Sequence, residues 1–186
     1  MPARCDPLAD VLIVVDLQVP FLDVIHERER VIRRSCFLIE VARALEIPIL
    51  ATEQAPDRLG RTDQTVHSAL AHAPIFAKTE FSAAACPAAM SRLREIDRPS
   101  AVIVGVETHI CVCGTALDLL EAGYRVTVCP DAASSRSLEA HKLGMERIRD
   151  AGAMPAHTES VAYEWLGSST HPKFRSVLEI VKRYPV

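Results

Sequence analysis

The chain has 186 residues, enough for one domain that buries roughly 70% of the surface its unfolded form exposes, and no internal repeat or composition shift divides it, so residues 1–186 read as a single domain. A hydrophobic fraction of 49% and a charged fraction of 24% exclude a disordered or fibrous chain. The net charge of −3, with Arg28, Arg30, Arg33 and Arg34 interleaved with Glu27 and Glu29, argues against nucleic acid; no apolar run could cross a bilayer, and the N-terminal MPARCDPLAD carries no leader pattern, which points to the cytoplasm.

In chain order, Val11 to Val15 reads as a short buried strand ending in Asp16, and a polar loop with Gln18 and Phe21 follows. Arg30 to Leu45 has helical spacing through Val31, Cys36, Ile39 and Ala42. Ile47 to Ala51 is a second strand, and Thr52 to Thr65 reads as loop by its Pro, Gly, Asp and Thr content. A helix over Val66–Ala71 leads to a third strand, Ile75 to Ala77, ending at Lys78. Ala85 to Ile96 is helical, Ala101 to Gly105 a fourth strand, and His109 to Leu120 a helix closed by Gly123. Arg125 to Cys129 is a fifth strand closed by Pro130 and Asp131, Leu138 to Ala151 a helix, Ala153 to Ala156 a sixth strand, and 157–166 and 173–182 the last helices. Strands alternating with helices predict an α/β fold, a doubly wound parallel sheet between two helical layers.

The stretch 101–123 carries the most chemistry. Its strand is β-branched without alternation, as a strand buried on both faces reads, and Thr108 is a candidate N-cap for the helix after it. Cys111 then falls in the first helical turn, where free backbone N–H groups and the positive end of the helix dipole favour thiolate. In doubly wound sheets ligands bind outside the carboxyl ends of the strands, and Asp16, Lys78 and Cys111 all fall there. Singly, each has an ordinary explanation as turn former, solvated charge or packed thiol; together they form a candidate site. The six cysteines, at 5, 36, 86, 111, 113 and 129, follow no disulfide or zinc spacing and are expected to be reduced.

The segments DLQVPF around Asp16, KTEFS around Lys78 and GVETHICV around Cys111 together resemble the isochorismatase-like cysteine hydrolases. TEQAPDRLGRT, DAASSRS and EWLGSSTHPKF are most similar to the isochorismatase domain-containing branch. The resemblance covers about Val11 to Lys182. It implies a six-stranded sheet of order 3-2-1-4-5-6, a catalytic triad of Asp16, Lys78 and Cys111, and a cis peptide at Val106–Glu107 that turns the Glu107 N–H toward the Cys111 N–H as an oxyanion hole. It implies hydrolysis of a C–N bond in a small amide or carbamoyl-like molecule through a thioester on Cys111. Members of the family commonly associate, and apolar Val112, Ala116 and Leu119 suggest a subunit face, so a homo-oligomer is expected.

One departure matters. Nicotinamidases carry a D-x-H metal pair where this chain has Thr52, Glu53 and Gln54, so no metal or other cofactor is expected, and Glu53 and Gln54 become candidate substrate contacts. Phe21 and Phe81 are candidate apolar walls, Gln18 a structural hydrogen-bonder, and His109 a residue of the pocket mouth or a subunit contact. The competing readings are a non-catalytic binding or scaffold member of the fold, a vinyl ether hydrolase in which Asp16 acts as acid, and a thiol sensor.

Overall fold

The computed structural model describes residues 4–185. Six parallel strands, β1 (Asp10–Val15), β2 (Ile49–Gln54), β3 (Ile75–Lys78), β4 (Ser100–Val106), β5 (Arg125–Ser134) and β6 (Met154–Pro155), form one sheet in the order β3-β2-β1-β4-β5-β6. The helices are α1 (Val19–Leu22), α2 (Arg28–Ala44), α3 (Pro56–Leu59), α4 (Gln64–Leu70), α5 (Pro87–Ile96), α6 (Cys113–Glu121), α7 (Leu138–Asp150), α8 (Thr158–Leu166) and α9 (Phe174–Arg183).

Strand alternation divides the core in two. Leu12, Val14, Val102 and Val104 pack with Phe37 of α2, Trp165 of α8 and Val177 of α9 on one face. Val11, Ile13, Val15, Ala101 and Ile103 pack with Leu93 of α5, Ala116 and Leu119 of α6 and Ile148 of α7 on the other. Burial on both faces is why these strands read as continuous apolar runs. At roughly 1.5–3 kcal/mol per buried aliphatic side chain, these two layers supply most of the driving force for folding. Val112, Ala116 and Leu119 are each fully buried within the chain, so the subunit face expected there is core instead.

Three departures from the sequence reading bear on the site. β2 runs three residues past Ala51, so Thr52, Glu53 and Gln54 are strand, hydrogen-bonded in register beside Phe76, Ala77 and Lys78, and α3 interrupts the loop expected after them. β5 does not close at Pro130; it continues to Ser134 across a register shift that pairs Ile103 with Val128 but Gly105 with Ala133. Pro130 lies inside that irregularity, where pairing lapses and its missing N–H costs no ladder bond. Finally, the chain enters α6 through a π turn, Thr108–Val112, and Thr108 does not cap it: the residue at the cap position is Glu107, with no side-chain cap bond.

Gly105 joins β4 to β1 at the level of the site. Its φ is 127°, and a Cβ there would sit 2.1 Å from the Val15 carbonyl oxygen, so only glycine lets the end of β4 lie against the residue preceding Asp16.

Candidate active site

Three strand ends supply the reactive groups. Asp16 follows β1 in a left-handed conformation, φ 50°, and its buried carboxylate accepts from Thr52 Oγ1 at 2.8 Å and from Lys78 Nζ at 2.7 Å. Lys78, the last residue of β3, also donates to Gln54 Oε1 at 2.6 Å and to the carbonyls of Glu80 and Phe81, both at 3.1 Å. Both side chains of the Asp16–Lys78 ion pair are 0% exposed. So buried a charge pair is tolerable only with its remaining donors and acceptors satisfied, and here they are.

Cys111 sits on the π turn, 6% exposed. The charges of Asp16 and Lys78 and the Glu107 backbone N–H all act on its sulfur. Burial pushes the thiol up to about 12, with the Asp16 charge adding to it, against smaller downward pulls from Lys78 and the Glu107 N–H. The helix start was expected to favour thiolate; desolvation and the neighbouring carboxylate reverse that, and the sulfur rests protonated. The Val106–Glu107 peptide bond is cis.

The turn carrying this sulfur is held at three consecutive residues by the segment after β5 and by α7. The Glu107 carboxylate accepts from Arg136 N at 2.9 Å and Nε at 3.2 Å, Thr108 Oγ1 lies 2.9 Å from His141 Nδ1, and His109 Nδ1 lies 2.9 Å from Ser135 Oγ. Burial, followed by the nearby Arg30 charge, lowers the His141 pKa. Gly144 lets α7 approach so closely that a Cβ there would lie 2.9 Å from His109 Cα.

The structure thus brings Asp16, Lys78, Glu107 and Cys111 together. The other candidates fare differently. The Glu53 side chain leaves the opposite face of β2, accepting from Thr62 N at 2.7 Å, Thr62 Oγ1 at 2.8 Å and Arg61 at 3.1 Å; burial pushes its carboxyl up, but these donors outweigh that and hold it below the usual range. Gln54 spends its side chain on Lys78 and on the Thr79 carbonyl, 2.8 Å away. Both side chains are thus engaged within the chain. Phe21 is half-buried against the α2 side of the core, and the Phe81 ring is 65% exposed, its carbonyl rather than its ring serving the site. Gln18 has the structural role expected of it: its amide bridges Gln54 N, Gln54 O and Gly60 O.

Thr52 was missed. Had β2 been extended to Gln54, the period of two would have placed residues 52 and 54 on one face and 53 on the other. A cleft of about 810 Å³ lies along the β3 edge and is lined by Arg58, Arg61, Lys78, Thr79, Glu80 and Cys86 among others. It meets the main chain of Lys78, since the ammonium is buried, and neither Asp16 nor Cys111 lines it. Among the described residues no three His, Cys, Asp or Glu side chains gather as a metal-ligand set.

A parallel sheet with an acid, an amine and a thiol at its carboxyl end defines the class to be compared. The Isochorismatase domain family matches residues 10–160, and the chain belongs to that family, whose fold is that of hydrolases. Isochorismatase domain-containing protein 2 of Xenopus laevis is 35% identical over 174 residues, 93% of this chain and 83% of that protein. A solved structure described as MAR1 ribonuclease from Caenorhabditis elegans is 38% identical with a TM-score of 0.92, covering 99% of this chain and 95% of its own. The YcaC gene product of Escherichia coli, described as an octameric hydrolase of unknown specificity, has a TM-score of 0.92 over 99% of this chain and 92% of its own; at 21% identity it supports the fold alone.

Proposed function

We propose that the protein is a cysteine hydrolase that cleaves a C–N bond in a small amide or carbamoyl-like substrate, with Cys111 as nucleophile, Asp16 as general base and acid, and Lys78 as the fixed charge that holds Asp16. The observation that carries this reading is the setting of one carboxylate: Asp16 accepts from the ammonium of Lys78 at 2.7 Å, and its charge acts on the buried thiol of Cys111. A protonated thiol of pKa about 12 needs a base beside it, and Asp16 is the carboxylate whose charge acts on it. In the proposed sequence Asp16 takes the thiol proton as sulfur attacks the carbonyl carbon. The oxygen's developing charge is met by the backbone N–H groups of Glu107 and Cys111. Asp16 returns the proton to the departing nitrogen, the C–N bond breaks, and a water deprotonated by Asp16 hydrolyses the thioester.

A vinyl ether hydrolase needs an acid but no sulfur, and a scaffold needs neither, so a thiol under the influence of a buried, lysine-held carboxylate supports the amide reading over both. The Caenorhabditis relative brings a second reading, cleavage of RNA. A net charge of −3 and a sulfur 6% exposed favour a small molecule over a polymer. The six cysteines are unpaired, which suits a reducing compartment such as the cytoplasm, and no helix among the described residues is long and apolar enough to cross a membrane. Association into a homo-oligomer is proposed from the octameric YcaC fold relative and from exposed Leu138 and Leu143 on α7.

The test is a panel of small amides, carbamoyl compounds and a short RNA, assayed with wild type and Cys111→Ala. Turnover of an amide, lost in Cys111→Ala with the melting temperature held, together with an acyl adduct on the Cys111 peptide by mass spectrometry, is expected. Equal turnover in the two proteins would rule out covalent catalysis.

A further inference from the structure

Asp16 and Lys78 belong to strands that are not neighbours. In the order β3-β2-β1 the end of β2 lies between them, so at about 4.8 Å per strand their backbones stand roughly 10 Å apart. The Lys78 side chain must cross the end of β2 to reach the carboxylate. What it crosses is the face carrying Thr52 and Gln54, two residues apart and therefore on the same side. Thr52 holds Asp16 Oδ1 at 2.8 Å and Gln54 Oε1 holds Lys78 Nζ at 2.6 Å.

Gln54 is itself fixed at every polar atom. Nε2 donates to the Thr79 carbonyl at 2.8 Å, its backbone N donates to Gln18 Oε1 at 2.6 Å, and its backbone O accepts from Gln18 Nε2 at 3.0 Å. The contact to Thr79 settles which end of the amide faces the ammonium: nitrogen donates to a carbonyl, so oxygen is left for Lys78.

We infer that Gln54 is a positioning residue of the catalytic centre, a neutral bracket that carries the Lys78 ammonium across β2 and sets the charge balance at Asp16, rather than a contact to substrate. This rests on the hydrolase reading above. A neutral acceptor is the choice that matters: it satisfies the ammonium without competing with Asp16 for it, whereas a carboxylate in its place would share the charge and raise the proton affinity of Asp16. The charged or titratable groups around this side chain are Lys78 from β3 and Asp16 at the end of β1, with Cys111 beyond Asp16 and the exposed Glu80 carboxylate, which feels the Lys78 charge, past the end of β3; Glu53 faces the other side, against Arg61.

The experiment uses the full chain with p-nitrophenyl acetate as acyl probe, the rate of Cys111→Ala being subtracted. Gln54→Leu, which removes both amide atoms, is expected to lower kcat at least tenfold with KM within twofold. Gln54→Glu, which keeps an acceptor for Lys78 and adds a charge, is expected to move the acid limb of kcat/KM upward by about one pH unit. A KM rise with kcat retained in Gln54→Leu would assign Gln54 to substrate and overturn the inference, as would an unmoved acid limb in Gln54→Glu. Should Gln54→Leu fail to fold, Gln54→Glu decides alone. If wild type does no better than Cys111→Ala on any substrate, the hydrolase reading fails, and the bracket is then read without turnover. Carboxamidomethylation of Cys111 by iodoacetamide at pH 9, followed by peptide mass spectrometry, should slow several-fold in Gln54→Glu, because an added negative charge opposes thiolate; an unchanged rate overturns the bracket.

Discussion

Replacing Lys78 by methionine tests whether the centre is an ion pair held together by burial. The side chains of Lys78 and Asp16 are both wholly inaccessible, and methionine nearly conserves the volume while removing the charge. The variant leaves the Asp16 carboxylate uncompensated, with only Thr52 still donating, and leaves Gln54 Oε1 and the carbonyls of Glu80 and Phe81 without their shared donor. Breaking a buried pair from one side costs about 3–5 kcal/mol, with a further 1–3 kcal/mol for each acceptor that water cannot reach. Lys78→Met should therefore lose at least about 4 kcal/mol, which at a urea m-value of about 2 kcal/mol/M lowers the midpoint by about 2 M. The double variant Asp16→Asn/Lys78→Met removes both charges, and asparagine tolerates the left-handed backbone at residue 16. It should recover at least about 2 kcal/mol of the loss, a coupling read directly from the four urea curves. A single variant within 1 kcal/mol of wild type, or a double variant no more stable than the single, would refute the account of a desolvated pair.

Two further outcomes follow from the packing and the thiols. Cys36 and Cys111 are both pushed from 9.0 up to about 12, by burial first and by nearby carboxylates second. A thiol that releases its proton at 9 when unfolded and near 12 when folded stabilises the fold fully below pH 9 and loses that contribution as pH rises toward 12. By pH 10.5 each should cost about 2 kcal/mol, and Cys36→Ala should lose about that much less between pH 8 and 10.5 in chemical denaturation. Equal pH slopes in the two proteins would count against the buried thiol. Gly144→Ala, which in an unencumbered helix would stabilise by about 1 kcal/mol, should here destabilise by about 1–3 kcal/mol and lower kcat, because the added methyl meets the His109 backbone at 2.9 Å. A raised melting temperature would show that α7 yields freely.

The layers of the fold were legible because burial on two faces writes itself as unbroken apolar runs, and Val11–Val15 and Ala101–Gly105 are such runs. The strand ends were not. Thr52, Glu53 and Gln54 read as loop because they are polar, yet they are polar for the reason that they sit where the sheet meets its site, each with a partner found only in three dimensions. β5 was cut at Pro130 on a sound local rule, overridden by a bulge that depends on β4 as neighbour. Helical spacing likewise carries no mark that separates the π turn at 108–112 from a first α turn, and Thr108, a good cap by residue type, is engaged instead by His141. Local preference lost at those places where tertiary contacts assemble the reactive groups.

For Cys111 the competition can be weighed in energies. A helix start stabilises a negative charge by about 0.3–1 kcal/mol, and about 2 kcal/mol in favourable geometries, which would lower a thiol by little more than one pKa unit. The net rise from 9.0 to about 12 corresponds to about 4 kcal/mol in the other direction, so burial and the Asp16 charge outweigh what a helix start could supply. Sequence position reports the turn that carries the sulfur and not the solvent excluded by the residues packed around it. In the proposed mechanism the sulfur then does not wait as thiolate; its proton leaves as attack begins, and the base assigned to receive it is the carboxylate that Lys78 and Thr52 hold in place. On that proposal the acid and the amine decide whether the cysteine can react at all.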